Sequence, residues 1–164
     1  LRDNGYLVLK DSAPVDEASG KQISRDWLQD VDWHKTKAFS LGLTGMFINR
    51  AARERDGIVA EGDELEAVKA EIVAKLSALV DPKTNEKIFR EVFDAEKIFT
   101  GPYVFQAPDL FMGYKRGYRN SWDCATGACP VEVFSDNTKS WSGDHCIDPR
   151  EVPGVLFSDT PINT

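Results

Sequence analysis

Histidine and cysteine are scarce in this chain: 164 residues hold two of the first and three of the second. Three cysteines, an odd number, cannot build a disulfide framework in a chain of this length, so stability must come from a packed core. No apolar run approaches the ~20 residues that span a bilayer, which excludes a membrane-spanning helix. No Asn-x-Ser/Thr sequon marks a secreted glycoprotein, and a cytoplasmic setting is weakly favoured. The chain starts at Leu1 with neither an initiator Met nor a charged-then-apolar leader, so no targeting signal is read and a signal peptide upstream stays open. Basic residues are the minority, 20 Lys and Arg against 27 Asp and Glu, for a net charge of -7. That balance repels phosphate backbones, which argues against a nucleic-acid duplex as partner and leaves small phosphorylated substrates open.

What is present suffices for one core, since 41% of the residues are hydrophobic. From Asp63 to Val80 the apolar Leu65, Val68, Ile72, Leu76 and Leu79 recur at steps of three and four, which predicts a helix with one buried face. Asp63 with Glu66 three positions on reads as a capping box, and Asp81-Pro82 as the stop. Substituting Asp63 by Ala would then cost about 1 kcal/mol. Thr36 to Asn49, interrupted by Gly42 and Gly45, reads as one or two strands around a glycine turn. Ile88 to Phe93 and Leu110 to Tyr114 read as short strands with a short helix, Asp94 to Phe99, between them. Val155 to Ser158 reads as a last buried strand, and Asp11 to Gln22 as a loop. Helices alternating with strands predict an α/β or α+β class.

Trp141-Ser142-Gly143-Asp144-His145-Cys146-Ile147-Asp148-Pro149 places a histidine in a glycine-entered, proline-closed turn before the apolar run. Neutral imidazole suits zinc and similar ions, and a loop at a strand end can aim it into a cleft. A buried or idle histidine has the same spelling. Cys124, Cys129, His145 and Cys146 together read as a closed structural zinc site, but His145 and Cys146 are contiguous and would strain to reach one tetrahedral ion. Cys146 reads better as a small packed residue. Tyr114, Lys115, Arg116, Tyr118, Arg119 and Trp122 form the one cationic, aromatic cluster. Guanidinium forks there suit a phosphate and rings suit a base, while a solvated loop is the plainer reading. Asp32 and Asp109 read as caps of backbone amides.

Several blocks, in order, resemble one family. They are Asn4-Gly5-Tyr6-Leu7; Asp32-Trp33 with Thr36-Lys37-Ala38-Phe39; Gly42-Leu43 with Asn49; Arg53-Glu54 and Gly57-Ile58-Val59; Ala107-Pro108-Asp109-Leu110; Gly117-Tyr118-Arg119 with Ser121-Trp122; and the His145 segment. Together they look like the type I phosphodiesterase and nucleotide pyrophosphatase branch of the alkaline phosphatase superfamily. Ala52 stands where the family usually has Gly, which puts the local turn in question.

The resemblance implies a C-terminal portion of an α/β alkaline-phosphatase-like core with an inserted α+β lobe. Residues 1–55 would belong to the metal-bearing core, 56–138 to the lobe beside the active site, and 139–164 to the return carrying the ligand loop. It implies a metal-dependent hydrolase of phosphodiesters or nucleotides with two divalent metal ions, zinc or else manganese. His145 would be a metal ligand, Asp144 an orienting neighbour and Arg119 a substrate contact, while Asn49, Arg53 and Glu54 would be structural, the last two paired. The nucleophile motif and the other ligand motifs have no match, so the chain alone is expected to be inactive, its partner being the remainder of the parent chain. A phosphomonoesterase or phosphomutase of the same superfamily, and a non-catalytic ligand- or partner-binding domain, are the alternatives.

Overall fold

Phe39 and Phe47 face each other across a reversal of the chain, and the sheet grows from that pair. β1 (Ala38–Ser40) and β2 (Gly45–Ile48) run antiparallel with these two residues in register. Their rings stack with centroids 5.3 Å apart, a cross-strand contact of the kind that fixes register. Gly42, at φ 82°, supplies the left-handed residue of the turn between them. The computed structural model describes residues 1–140, 146–152 and 154–162. Within it β3 (Phe89–Asp94) and β4 (Leu110–Tyr114) complete a four-stranded antiparallel sheet of order β1-β2-β4-β3. Both strands lie where the apolar runs predict them. Helices and sheet make this a mixed α/β chain, with a helix laid on an antiparallel sheet rather than repeated parallel crossovers.

That helix, α1 (Asp63–Ser77), buries Leu65, Val68 and Ile72 against Ile48, Val92, Leu110 and Met112, as the spacing requires. Both of its predicted ends need correction. Asp63 is the first helical residue, not the cap: Gly62 occupies that position at φ 83°, and the carboxylate that reaches back is Glu64, accepting the Ala60 amide at 3.0 Å. The far end falls at Ser77 instead of Val80, because Val80 leaves the helix to bridge Lys87 across a turn. Asp81 stabilises that turn by accepting the Lys83 amide at 2.7 Å. The short helix α2 (Ala95–Ile98) is capped by Asp94, which accepts from Glu96.

A second apolar cluster, Leu7, Leu9, Ala13, Val31 and Phe39, lies under the N-terminal loops. β2 and β4 pair across the expected division at 55/56.

The last expected strand is absent. Val155, Leu156 and Phe157 are 85%, 74% and 90% exposed and pair with no strand among the described residues. Apolar composition predicts burial, but a strand also needs an edge to bond to. No helix among the described residues is long and apolar enough to cross a membrane.

Candidate functional site

β4 ends at Tyr114 and hands the chain to the cationic loop. Lys115 is tied back by its amide to the Ile88 carbonyl at 2.9 Å, and Gly117, at φ 89°, turns the chain. Tyr118 is held by its hydroxyl, which donates to Asp81 at 3.1 Å. Arg119 donates from Nε to the Asn120 carbonyl at 3.2 Å and lays its guanidinium over the Trp122 ring, 5.2 Å from the centroid. Arg119 and Trp122 are therefore one unit, as the clustering of cation and ring in sequence foresaw.

Asn120 fixes this loop to the glycine turn between β1 and β2, donating to the Gly42 carbonyl at 3.1 Å. Ser121 caps the one-turn helix α3 (Trp122–Ala125), accepting from the Cys124 amide at 3.1 Å. The turn after α3 is clasped by the Asp26–Leu28 segment: the Trp27 amide donates to Thr126 at 2.7 Å, and Thr126 donates its hydroxyl to Asp26. Cys129 bridges Ser24, and burial pushes its thiol up, which suits a packed protonated cysteine.

His145 and Asp144, the expected ligand and its neighbour, lie outside the described residues. The chain resumes at Cys146, which is half-buried, and is anchored at once by Asp148. That residue is fully buried; its amide donates to Tyr114 at 3.1 Å, and its carboxylate takes a fork from Arg150 at 2.8 and 2.6 Å. The Arg150 guanidinium holds the Asp148 carboxyl below the usual carboxylate range. Gly113 makes room, since a Cβ there would stand 2.8 Å from Asp148 Oδ2. Asp148 thus pins the segment after His145 to the strand that leads to Arg119.

Asn49, Arg53 and Glu54 are structural, as expected. Asn49 donates its amide to the Trp33, Thr36 and Asp56 carbonyls. Arg53 pairs with Glu54 at 2.7 Å and also binds the Ile48 and Ala107 carbonyls. Ala52 is not among the residues with positive φ, so the turn there does not require the family's glycine. Asp109 is buried between Arg50, Arg53 and the Ile48 amide, and Asp32 accepts the His34 amide at 3.2 Å. Both are caps and counter-ions.

Three residues escaped sequence reading. Asp148 had a usable signal, Asp-Pro-Arg, in which Asp caps a turn that proline starts. Arg50 had none, because its partners Glu61, Glu96 and Asp109 are scattered along the chain. Trp27 had none either, since its main-chain conformation is one that turns usually reserve for other residues.

Among the described residues no group of three His, Cys, Asp or Glu could hold a metal ion. Comparison with protein-family models, with curated proteins and with solved structures yields no match.

Proposed function

We propose that this chain is the C-terminal portion of a metal-dependent hydrolase of phosphodiesters or nucleotides, related to the type I phosphodiesterase branch of the alkaline phosphatase superfamily. The observation that carries the reading is how the resembling blocks bond to one another. The Tyr6 carbonyl takes the amides of Lys37 and Ala38; the Asn49 carbonyl takes those of Ile58 and Val59; Arg53 reaches Ala107 and Asp109.

Exposure of Val155, Leu156 and Phe157 supports the fragment reading, because these follow the His145 segment and would be covered by sheet supplied from elsewhere in the parent. In this reading His145 contributes one metal ligand, Asp144 steadies its loop and Arg119 meets the phosphate of the substrate. The nucleophile and remaining metal donors lie outside residues 1–164, and this chain by itself is inactive.

The test compares hydrolysis of bis-p-nitrophenyl phosphate and p-nitrophenyl phosphate by the complete protein, with zinc or manganese, beside its His145→Ala variant. Diester cleavage and bound metal that both fall in the variant are expected. Unchanged metal content and rate in His145→Ala would remove the assignment, and cleavage of neither ester would remove the hydrolase.

A further inference from the structure

The segment that resumes at Cys146 meets the sheet as a piece already folded. Pro149 starts a single turn, Pro149–Glu151, and Asp148 caps it by accepting the Arg150 amide at 2.9 Å. The Glu151 and Val152 amides close the turn on the Asp148 and Pro149 carbonyls. Arg150 folds back on Asp148 with its fork, so the buried carboxylate and its counter-ion lie two residues apart in the chain. All of these bonds stay inside the segment, and none is broken if it moves as a unit.

The contacts that cross to β3 and β4 are of another kind. Arg150 pairs with Glu91 at 2.8 Å and Glu151 with Arg90 at 2.9 Å, so the Arg-Glu dipeptide of the turn answers the Arg-Glu dipeptide of the strand. Their side chains are between 21% and 50% exposed, a setting in which ion pairs are weak and screened by salt. The rest of the contact is the Asp148 amide on the Tyr114 carbonyl, the Asp148 carboxylate against Gly113, and the Arg150 guanidinium over the Phe93 ring, 5.6 Å from its centroid. Both apolar clusters are built from residues 1–129, and Ile147 is the one later apolar residue, among those described, that packs against either. The best shielded charge contact of the region is therefore not one that holds the segment down. Lifting the segment also returns the Asp148 carboxylate to water, which favours its charge.

We propose that residues 146–152 are a strap that ionic strength releases: the turn lifts from β3 as a unit, with Asp148 and Arg150 still paired, while α1 and the sheet stay folded. Opening on this scale belongs to segments that share little of the common core. Phe93 and Gly113 alternate along their strands with Val92 and Met112, which face α1, so the strap lies on the opposite face of the sheet. Its release uncovers Phe93 beside its cross-strand partner Phe111. The strap needs neither substrate nor metal, and it stands whether or not the chain is a hydrolase.

The test is hydrogen exchange of the full chain, followed by NMR at about 0.05 M and about 1 M sodium chloride. The reporter is the Asp148 amide, which the strap bonds to Tyr114; the Val68 and Ile72 amides of α1 report on the core. In 1 M salt the Asp148 amide should exchange roughly fivefold faster, as expected for losing two exposed ion pairs, with the α1 amides unchanged. Arg90→Gln with Glu91→Gln should give the same acceleration at low salt and abolish the response to salt. An Asp148 amide indifferent to salt in the parent, a salt response that survives the double substitution, or an equal acceleration of the α1 amides would each overturn the strap.

Discussion

Arg53 grips both carboxylate oxygens of Asp109, with Nη2 2.7 Å from Oδ2 and Nη1 3.3 Å from Oδ1. Arg50 reaches Oδ1 from the other side at 3.0 Å, and the Ile48 amide donates to Oδ2 at 2.6 Å. The three side chains are 3%, 10% and 7% exposed for Asp109, Arg53 and Arg50, so this charge is shared away from water. Removing Asp109 leaves Arg53 to Glu54 and Arg50 to Glu61, and takes the acceptor from the Ile48 amide. Asp109→Ala should therefore destabilise the chain by about 3 kcal/mol, read as a lower urea midpoint. Asp109→Leu with Arg53→Met should recover part of that loss; no recovery would mean that the Ile48 amide, not the charge, dominates.

Gly57 is required by space rather than by conformation. A Cβ there would stand 2.0 Å from the Arg50 carbonyl oxygen and 2.4 Å from its carbon, both main-chain atoms that cannot rotate away. Gly57→Ala should cost about 3 kcal/mol, the upper end for overpacking, and lower Tm accordingly. Gly42→Ala is the contrast: nothing lies within 4 Å of its Cβ, and only φ 82° resists, for about 1 kcal/mol. Equal losses at the two positions would contradict the distinction.

These two glycines also mark what can be read from sequence. Gly42 announces itself between two apolar runs, because turn chemistry is local, and for the same reason β4 lies where Leu110 to Tyr114 predict it. Gly57 is critical because of Arg50, seven residues away, and that proximity is made by the parallel bridge of Arg50 with Val59. The helix period showed which face of α1 is buried, while Gly62 and Glu64 decided its start in competition with Asp63. Val155 to Phe157 failed as a strand because pairing is a property of two segments and composition describes only one. In the candidate site the Arg119–Trp122 unit was legible through short spacing, whereas Asp148 with Arg150 went unread although the Asp-Pro turn carries its signal. The Trp27 clasp was not, since Thr126 is far along the chain.

Acid should weaken the chain through Asp30 and Asp148. Hydrogen bonds from the Arg25 side chain hold the Asp30 carboxyl down at about 2 against an ordinary 3.8, and Arg150 lowers Asp148 in the same direction. A carboxyl depressed in the folded state stabilises fully above its unfolded value and loses that contribution as pH falls through the folded one. For Asp30 the window runs from 3.8 down to about 2. Arg25→Met should flatten the fall of the urea midpoint across this range while leaving the Asp148 part. Because the hydrogen bonds from Arg25 outweigh the screenable attraction and Asp30 is buried, high salt should flatten the fall less than the substitution does. A midpoint indifferent to pH between 4 and 2 in the parent would dismiss both carboxylates.

The start of α1 separates two carboxylates that sequence alone ranks the wrong way. Asp63 heads the apolar period and has Glu66 three positions on, the spelling of a capping box. Yet it sits inside the first turn, exposed, where its charge meets only the positive end of the helix dipole, worth about 0.5 kcal/mol and screened by salt. Glu64 instead accepts the Ala60 amide at 3.0 Å, tying the incoming chain to the helix across Gly62. Glu64→Ala should thus cost about 1 kcal/mol, more than Asp63→Ala, and the Glu64→Ala loss should persist in 1 M salt. Thermal denaturation of both variants at low and high salt distinguishes the cases. A larger loss at Asp63 that survives salt would restore it as the cap and shift the start of the helix by one residue.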